Sequence, residues 1–175
     1  MRMNNLERNK YVCEQIENAV LKLLQQKELN AISIKEITEE AQVSRVSFYR
    51  NYDDKEDVLK TYIGRMVLTW GEENKERFDK AKAESGNSNL MLSELFSFLK
   101  SHEDLIQLLQ KRGLFDIFRD SFLELYGPKP EYPNAGAYLS AFFFYGLYGW
   151  IEEWVKRGMQ ESGDAMVQLF TQMNH

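Results

Sequence analysis

The sequence is poor in the residues that interrupt helices, and poorer still in those that build disulfide frameworks or metal centres. Across 175 residues there are three prolines and ten glycines. Proline costs a helix interior about 3 kcal/mol and glycine about 1, and breakers this sparse favour long helices. The prolines, Pro128, Pro130 and Pro133, all fall in one short stretch. A lone cysteine, Cys13, excludes an internal disulfide and suits a reducing cytoplasm. The histidines are His102 and the terminal His175, and no glycine-rich phosphate loop is present. Catalysis, a metal site and a bound cofactor therefore find no local signature, and none is expected. A formal net charge of −5 excludes a nucleic-acid-coating polycation. Any DNA contact must come from a local patch. The opening MRMNNLERNK lacks the apolar core of a signal peptide.

What is present describes a soluble globular chain. Hydrophobic residues make up 43% and charged residues 28%, with a mean hydropathy of −0.51, enough to bury a core in one large domain or two small ones. Residues 1–60 carry 10 Lys and Arg against 11 Asp and Glu, so that third is near neutral and the remainder holds most of the acidity. One stretch, Ala135 to Ile151, has no charged side chain over 17 residues. That is the lower edge of the ~17–25 a membrane span needs, and Glu152 and Glu153 follow at once. With three glycines and four hydroxyl side chains inside, it reads as the central helix of a bundle, packed on every side, rather than as a membrane helix.

Apolar spacing gives the elements. Val12, Ile16, Ala19, Val20, Leu23 and Leu24 form one helical stripe between Asn9 and Lys27. Ser33-Ile-Lys-Glu36 reads as a capping box opening a short helix, Gln42-Val43 makes a turn, and Ser44 caps a second short helix ending near Tyr52. Asp53 and Asp54 then suit the start of a helix carrying Val58, Leu59, Tyr62, Ile63, Met66, Val67 and Trp70. Its charged continuation, EENKERFDKAKAE, reads as a solvated helix face, and Ser85–Asn89 as a loop. Helices are predicted over Leu90–Lys100, over Ser101–Arg112 with a Ser101-x-x-Asp104 cap, over Leu114–Tyr126 and over Ala135–Arg157. Ser162 caps a last one carrying Met166, Leu169, Phe170 and Met173. No segment alternates long enough to be a strand, so the class is all-α with about nine helices and no internal repeat.

Two short helices joined by a tight turn and preceded by a longer one form the geometry of a tri-helical DNA reader. Periodicity alone leaves this one option among small α-folds. The string from Ile32 to Leu59, ISIKEITEEAQVSRVSFYRNYDDKEDVL, sharpens it, because it resembles the TetR/AcrR family of bacterial transcription regulators. The segment AFFFYGLYGWIEEWVKRGMQESGDAMVQL is similar to the DhaS-like subset of that family. The resemblance implies a helix-turn-helix DNA-binding domain over residues 1–53 and a helical ligand-binding and dimerisation domain over residues 54–175. Two positions depart from the family pattern: Gln42 and Val46 stand where glycine is usual. Either Gln42 adopts the positive-φ turn at the cost of modest strain, or the turn there is slightly different.

By resemblance and by place on the helix, Phe48 and Tyr52 pack inward with Val43, while Arg45, Val46, Ser47, Tyr49 and Arg50 face base edges. Arg45 suits guanine and Val46 a thymine methyl. Ser33, Ser47, Tyr49, Asn51 and Lys55 match phosphate-gripping positions, whereas Lys35 and Lys60 read as solvated. The family also implies a small-molecule effector in the C-terminal bundle. Trp70, Phe96, Phe115, Phe118, Phe122, Phe142 and Tyr145 are candidates to line its cavity, although aromatics at helical spacing equally make plain core. A homodimer is expected through Gly146, Gly149, Trp150, Trp154, Met166, Leu169 and Phe170. The implied function is a repressor on double-stranded operator DNA, acting in the cytoplasm without membrane contact. The alternative is a coregulator acting through a protein partner with little DNA binding of its own.

Overall fold

The computed structural model describes residues 4–85 and 89–172, and these carry nine α-helices and no strand. Of the loop expected over Ser85–Asn89, residues 86–88 lie outside the described residues, as do Met173 and His175. The chain divides into two compact units, Met1–Arg65 and Met66–His175, whereas the motif placed the boundary between residues 53 and 54. By sequence, one long helix runs through the division.

The first unit holds α1 (Asn5–Gln26), a 3₁₀ turn (Leu29–Ala31), α2 (Ile34–Glu40), α3 (Arg45–Asn51) and the start of α4 (Lys55–Ser85). Helix α1 starts four residues before the expected Asn9, because Asn4 and Glu7 form a capping box that lies outside the apolar stripe. The box at Ser33 is present: Glu36 N donates to Ser33 Oγ at 3.2 Å, and Ser33 N donates to Glu36 Oε2 at 2.9 Å. Ser44 Oγ accepts from Ser47 N at 3.0 Å, as its cap role requires. Between these helices Gln42 has φ 55°. Its N–H bonds Glu39 O at 3.2 Å while Val43 N bonds Thr38 O at 3.0 Å, the paired bonds of a Schellman ending. The same ending closes two later helices with Gly113 and Gly158 at the left-handed position. Gln42 makes that turn against the steric preference of a Cβ. Ile16, Val20, Leu24, Ile37, Phe48, Leu59 and Ile63 form the core.

The second unit holds the rest of α4, then α5 (Asn89–Ser101), α6 (Glu103–Lys111), α7 (Phe115–Tyr126), α8 (Asn134–Lys156) and α9 (Gly163–Gln172). The charged tract stays helical through the end of α4. Helices α5 and α9 are the most intimate pair, and Gly163 is the reason: a Cβ there would stand 3.1 Å from Ser97 N and 3.2 Å from Phe96 C. Ser162 caps α9, accepting from Ala165 N at 3.2 Å. Ser101 does not cap α6. Its hydroxyl donates backwards to Phe98 O at 2.8 Å, and His102 takes the cap position without a side-chain bond.

Helix α8 corrects a larger expectation. It is not wrapped on every side: among the described residues only one face finds neighbours, and Tyr138, Leu139, Phe142, Phe143 and Tyr145 are exposed. Among the described residues no helix is long and apolar enough to cross a membrane.

Candidate nucleic-acid interface and ligand cavity

Helix α3 has two faces set by its sequence. Phe48 is fully buried and Tyr52 nearly so, with ring centroids 6.0 Å apart, and Val43 is half-buried beside them in sequence. The other face presents Arg45, Val46, Tyr49 and Arg50, at spacings of one, three and one along the helix, to solvent. Val46 is 69% and Tyr49 59% exposed, a position for an apolar and an aromatic side chain that core formation does not explain. The Phe48 ring meets Tyr49 edge-on at 5.4 Å, fixing the tyrosine as it projects. Neither Arg45 nor Arg50 forms an ion pair with any described residue, while Lys22, Lys27, Lys35, Lys60 and Arg65 each pair with a glutamate. The face thus carries two uncompensated cations in a near-neutral unit.

The remaining expected phosphate contacts have partners within the chain. Ser33 Oγ donates to Glu36 Oε2 at 2.8 Å, Ser47 Oγ shares a hydrogen with Ser44 Oγ at 2.9 Å, and Asn51 Nδ2 donates to Ser47 O at 2.9 Å. Lys55 Nζ donates to Ile32 O at 2.7 Å and Asn30 O at 3.1 Å. It ties the start of α4 to the carbonyls left open by the 3₁₀ turn. Lys35 and Lys60 sit in exposed i,i+4 pairs with Glu39 and Glu56, which are worth little.

The sequence pattern does not single out the group that holds α3 in place. Glu17 on α1 is only 2% exposed. It accepts from Tyr52 Oη at 2.8 Å and from Arg65 Nη1 and Nη2 at 2.9 and 2.5 Å. Burial first, and then the Glu17 carboxylate, hold the Tyr52 phenol well above its ordinary range. The hydrogen bond to Glu17 chiefly raises Arg65. A glutamate next to Ile16 on the edge of the apolar stripe was the available signal. Lys27, followed by the N–H and hydroxyl of Ser33, holds the Glu36 carboxyl down at about 2.

In the second unit a cavity of about 590 Å³ lies among residues of α4, α5, α7 and α8. Of the expected lining, Trp70, Phe118 and Phe122 are there. Phe96, Phe115, Phe142 and Tyr145 are not. Phe96 is spent against Trp154 at 5.5 Å, edge to face. Phe115 stacks with Phe118 at 5.6 Å and with Tyr148 at 5.9 Å behind the wall, and Phe142 and Tyr145 point to solvent on the far side of α8. The face of α8 that does line the cavity carries Ser140, Phe143, Phe144, Leu147, Tyr148 and Ile151. Gly71 lets the Tyr126 hydroxyl close against α4, where a Cβ would come within 1.8 Å of it.

The expected dimer residues separate in the same way. Gly146, Gly149 and Leu169 are exposed, and Trp150 and Phe170 are half-buried against each other, ring centroids 5.7 Å apart. Trp154, 2% exposed, and Met166 are buried in their own chain and have no surface to offer a partner.

Residues 16–62 match the family described as bacterial regulatory proteins, tetR family. Residues 86–175 match a transcriptional regulator C-terminal region, a description that does not distinguish the DhaS-like subset. Over 110 residues the chain is 32% identical to the uncharacterized HTH-type transcriptional regulator YxbF of Bacillus subtilis (strain 168). That alignment takes in 62% of this chain and 29% of the relative, so the chain spans under a third of that protein's length.

Proposed function

This chain belongs to the TetR family of bacterial transcriptional regulators, and we propose that it binds operator DNA as a homodimer, represses there, and changes its DNA affinity when a small ligand enters the cavity of its second unit. It is a DNA-binding regulator and not an enzyme. The observation that carries the proposal is the bare face of α3, where Arg45, Val46, Tyr49 and Arg50 project together and neither arginine has an ion pair among the described residues. Arginine reads guanine in the major groove through paired donors, and an apolar side chain reads the thymine methyl. Phe48 and the Tyr52–Glu17 bond orient the helix that carries them.

Self-association is supported by the second face of α8. Tyr138, Leu139, Phe142, Tyr145, Gly146 and Gly149 form one apolar stripe left exposed among the described residues, a surface that monomers rarely leave open. Two copies related by a two-fold axis cover it with itself, and a dimer supplies the two reading helices that half-sites roughly 34–36 Å apart in successive major grooves call for.

The test is selection of duplex DNA from a random library by the purified chain alone, in the cytoplasmic salt range. The proposal expects enrichment of a two-fold-related site that Arg45→Ala and Tyr49→Ala lose. Enrichment that appears only when a second protein is added supports the coregulator reading instead.

A further inference from the structure

The cavity and the open stripe of α8 meet at one side chain. Resting on the homodimer and the ligand response read above, we propose that Phe143 serves both, so that an aromatic guest in the cavity and a second copy on the stripe bind with positive cooperativity. The guest then governs how tightly two copies hold together. Successive residues of an α-helix are turned by about 100°. Phe144 lines the cavity, Phe142 lies on the stripe about 160° round the axis from it, and Phe143 stands on the flank between them. Phe143 lines the cavity and is still 60% exposed. One turn back on the same flank is Leu139, an exposed member of the stripe. Side chains four apart on a helix are neighbours, so whatever packs on Leu139 comes within one side chain of Phe143.

Two ring pairs cross from one face of α8 to the other. Phe142 and Phe143 meet at 5.7 Å with their planes 76° apart, and Phe144 and Tyr145 meet at 5.4 Å and 88°. In each pair one ring lines the cavity and the other lies on the stripe. Edge-to-face rings orient each other, because turning one takes the edge contact from its neighbour. A guest lying against Phe143 and Phe144 therefore also fixes Phe142 and Tyr145. A second copy that covers Phe142 and Tyr145 fixes the two cavity rings.

The sign follows from what each partner orders and covers. In the single chain the mouth of the cavity is edged by Leu68 of α4, Met91 of α5, Tyr126 of α7 and Phe143 of α8, all of them exposed. A guest there keeps part of its surface in water. Holding an exposed ring in one orientation costs conformational entropy. Whichever partner binds first bears that cost, and the second finds the ring already held. A second copy at Leu139 also shields the Phe143 edge of the mouth and the guest beside it, apolar burial that neither event achieves alone. Both effects favour joint binding. By linkage, the free energy with which the guest tightens the dimer equals that with which dimerisation tightens the guest.

Sedimentation of the full chain without DNA, over a range of protein concentrations and with or without N-phenyl-1-naphthylamine, measures the dimer Kd. The fluorescence of the same probe, which rises in apolar surroundings, reports its binding. Saturating probe should lower the dimer Kd at least about fivefold. Phe143→Ala removes the shared ring at an exposed position, so the variant should stay folded and dimeric and still take the probe against Trp70, Phe118 and Phe122. In it the probe should shift the dimer Kd less than about twofold. A native chain that dimerises and binds the probe with its dimer Kd unchanged or raised overturns the coupling alone and leaves the homodimer standing. An equal shift in Phe143→Ala overturns the part given to Phe143, and a native chain that does not take the probe overturns the inference at the cavity. A chain that stays monomeric with and without probe overturns the homodimer itself, and the inference with it.

Discussion

Tyr52, which ends the reading helix, donates its phenolic hydrogen to Glu17 of α1 at 2.8 Å, in a site that water does not reach. Arg65 closes on the same carboxylate with two further bonds. One buried charge thus joins α1, the C-terminal end of α3 and α4 within the first unit. A cavity-neutral change, Glu17→Gln, keeps an acceptor for Tyr52 but discards the ion pair, whereas Glu17→Leu takes away the carboxylate that accepts the phenol's hydrogen. Because the Arg65 side chain is half exposed and rehydrates, the expected cost of Glu17→Leu is about 1–3 kcal/mol. Chemical denaturation measures it. DNA affinity should fall in Glu17→Leu even at temperatures where the protein remains folded, because α3 has lost its anchor.

Arg45 and Arg50 should behave unlike Lys55. Neither arginine has an ion pair among the described residues, so its replacement by alanine should leave stability within about 0.5 kcal/mol. Where the arginine grips a phosphate, the same change should lower the salt slope of DNA binding by about one. If Arg45 reads a guanine, Arg45→Ala relaxes one base position as well. Lys55→Ala instead strands the carbonyls of Asn30 and Ile32, and should cost about 1 kcal/mol of stability. A salt titration of DNA anisotropy beside a urea melt separates the two classes. An unchanged salt slope in the double variant Arg45→Ala, Arg50→Ala would move the DNA site elsewhere.

The parts of this chain that depend on neighbours in sequence were legible and the parts that depend on helix crossings were not. The capping box at Ser33, the cap at Ser44, the left-handed turn at Gln42 and the inward pair Phe48 and Tyr52 are all settled within one or two turns of helix. Which face of α8 looks inward is not. Its aromatics recur on both sides, so Phe142 and Phe143, adjacent in sequence, differ in that only the second lines the cavity. Phe96 and Trp154 are lost to both expected sites because they meet each other, a pairing between distant helices that periodicity cannot disclose. Lys55 looked free for the same reason, since its carbonyl partners lie at Asn30 and Ile32.

The acid limb of stability should carry the signature of Glu36. Lys27 and Ser33 hold its carboxyl at about 2 against an ordinary 4.5. A carboxyl depressed by folding contributes stability above its unfolded value, and that contribution drains away as pH falls toward the folded one. Glu36→Gln should therefore lower the urea midpoint at pH 6, and the gap to the native chain should close between pH 4.5 and pH 2. A gap that stays constant with pH would mean that the loss arises from the capping geometry and not from charge.

Two glycines in helices should respond to alanine with opposite sign. A Cβ on Gly64 of α4 meets nothing within 4 Å, so Gly64→Ala gains helix propensity and should stabilise by about 0.5–1 kcal/mol. At Gly163 the same atom presses on the backbone of α5 at Ser97 and Phe96. Backbone in a packed helix pair yields poorly, and Gly163→Ala should cost about 1–3 kcal/mol. Thermal melts of the two single variants read the difference directly.

The dimer proposal turns on two aromatic residues of one helix. Phe142 is 73% exposed in the chain, on the open stripe of α8, while Trp154 is 2% exposed and packed edge-on against Phe96. A carboxylate at position 142 costs a lone chain almost nothing because water still reaches it, but in a symmetric interface it appears twice and opposite itself. Phe142→Glu should therefore give a folded monomer, helical by circular dichroism, that sediments at half the native mass. Trp154→Glu places a charge inside the second unit itself, where an unpaired carboxylate costs several kcal/mol, and should lower the melting temperature whatever the oligomeric state. The pair distinguishes surface from core on one helix. If Phe142→Glu sediments as the native dimer does, the open stripe is not where two copies meet. Paired reading helices would then have to come from another surface, and the stripe would need a different partner.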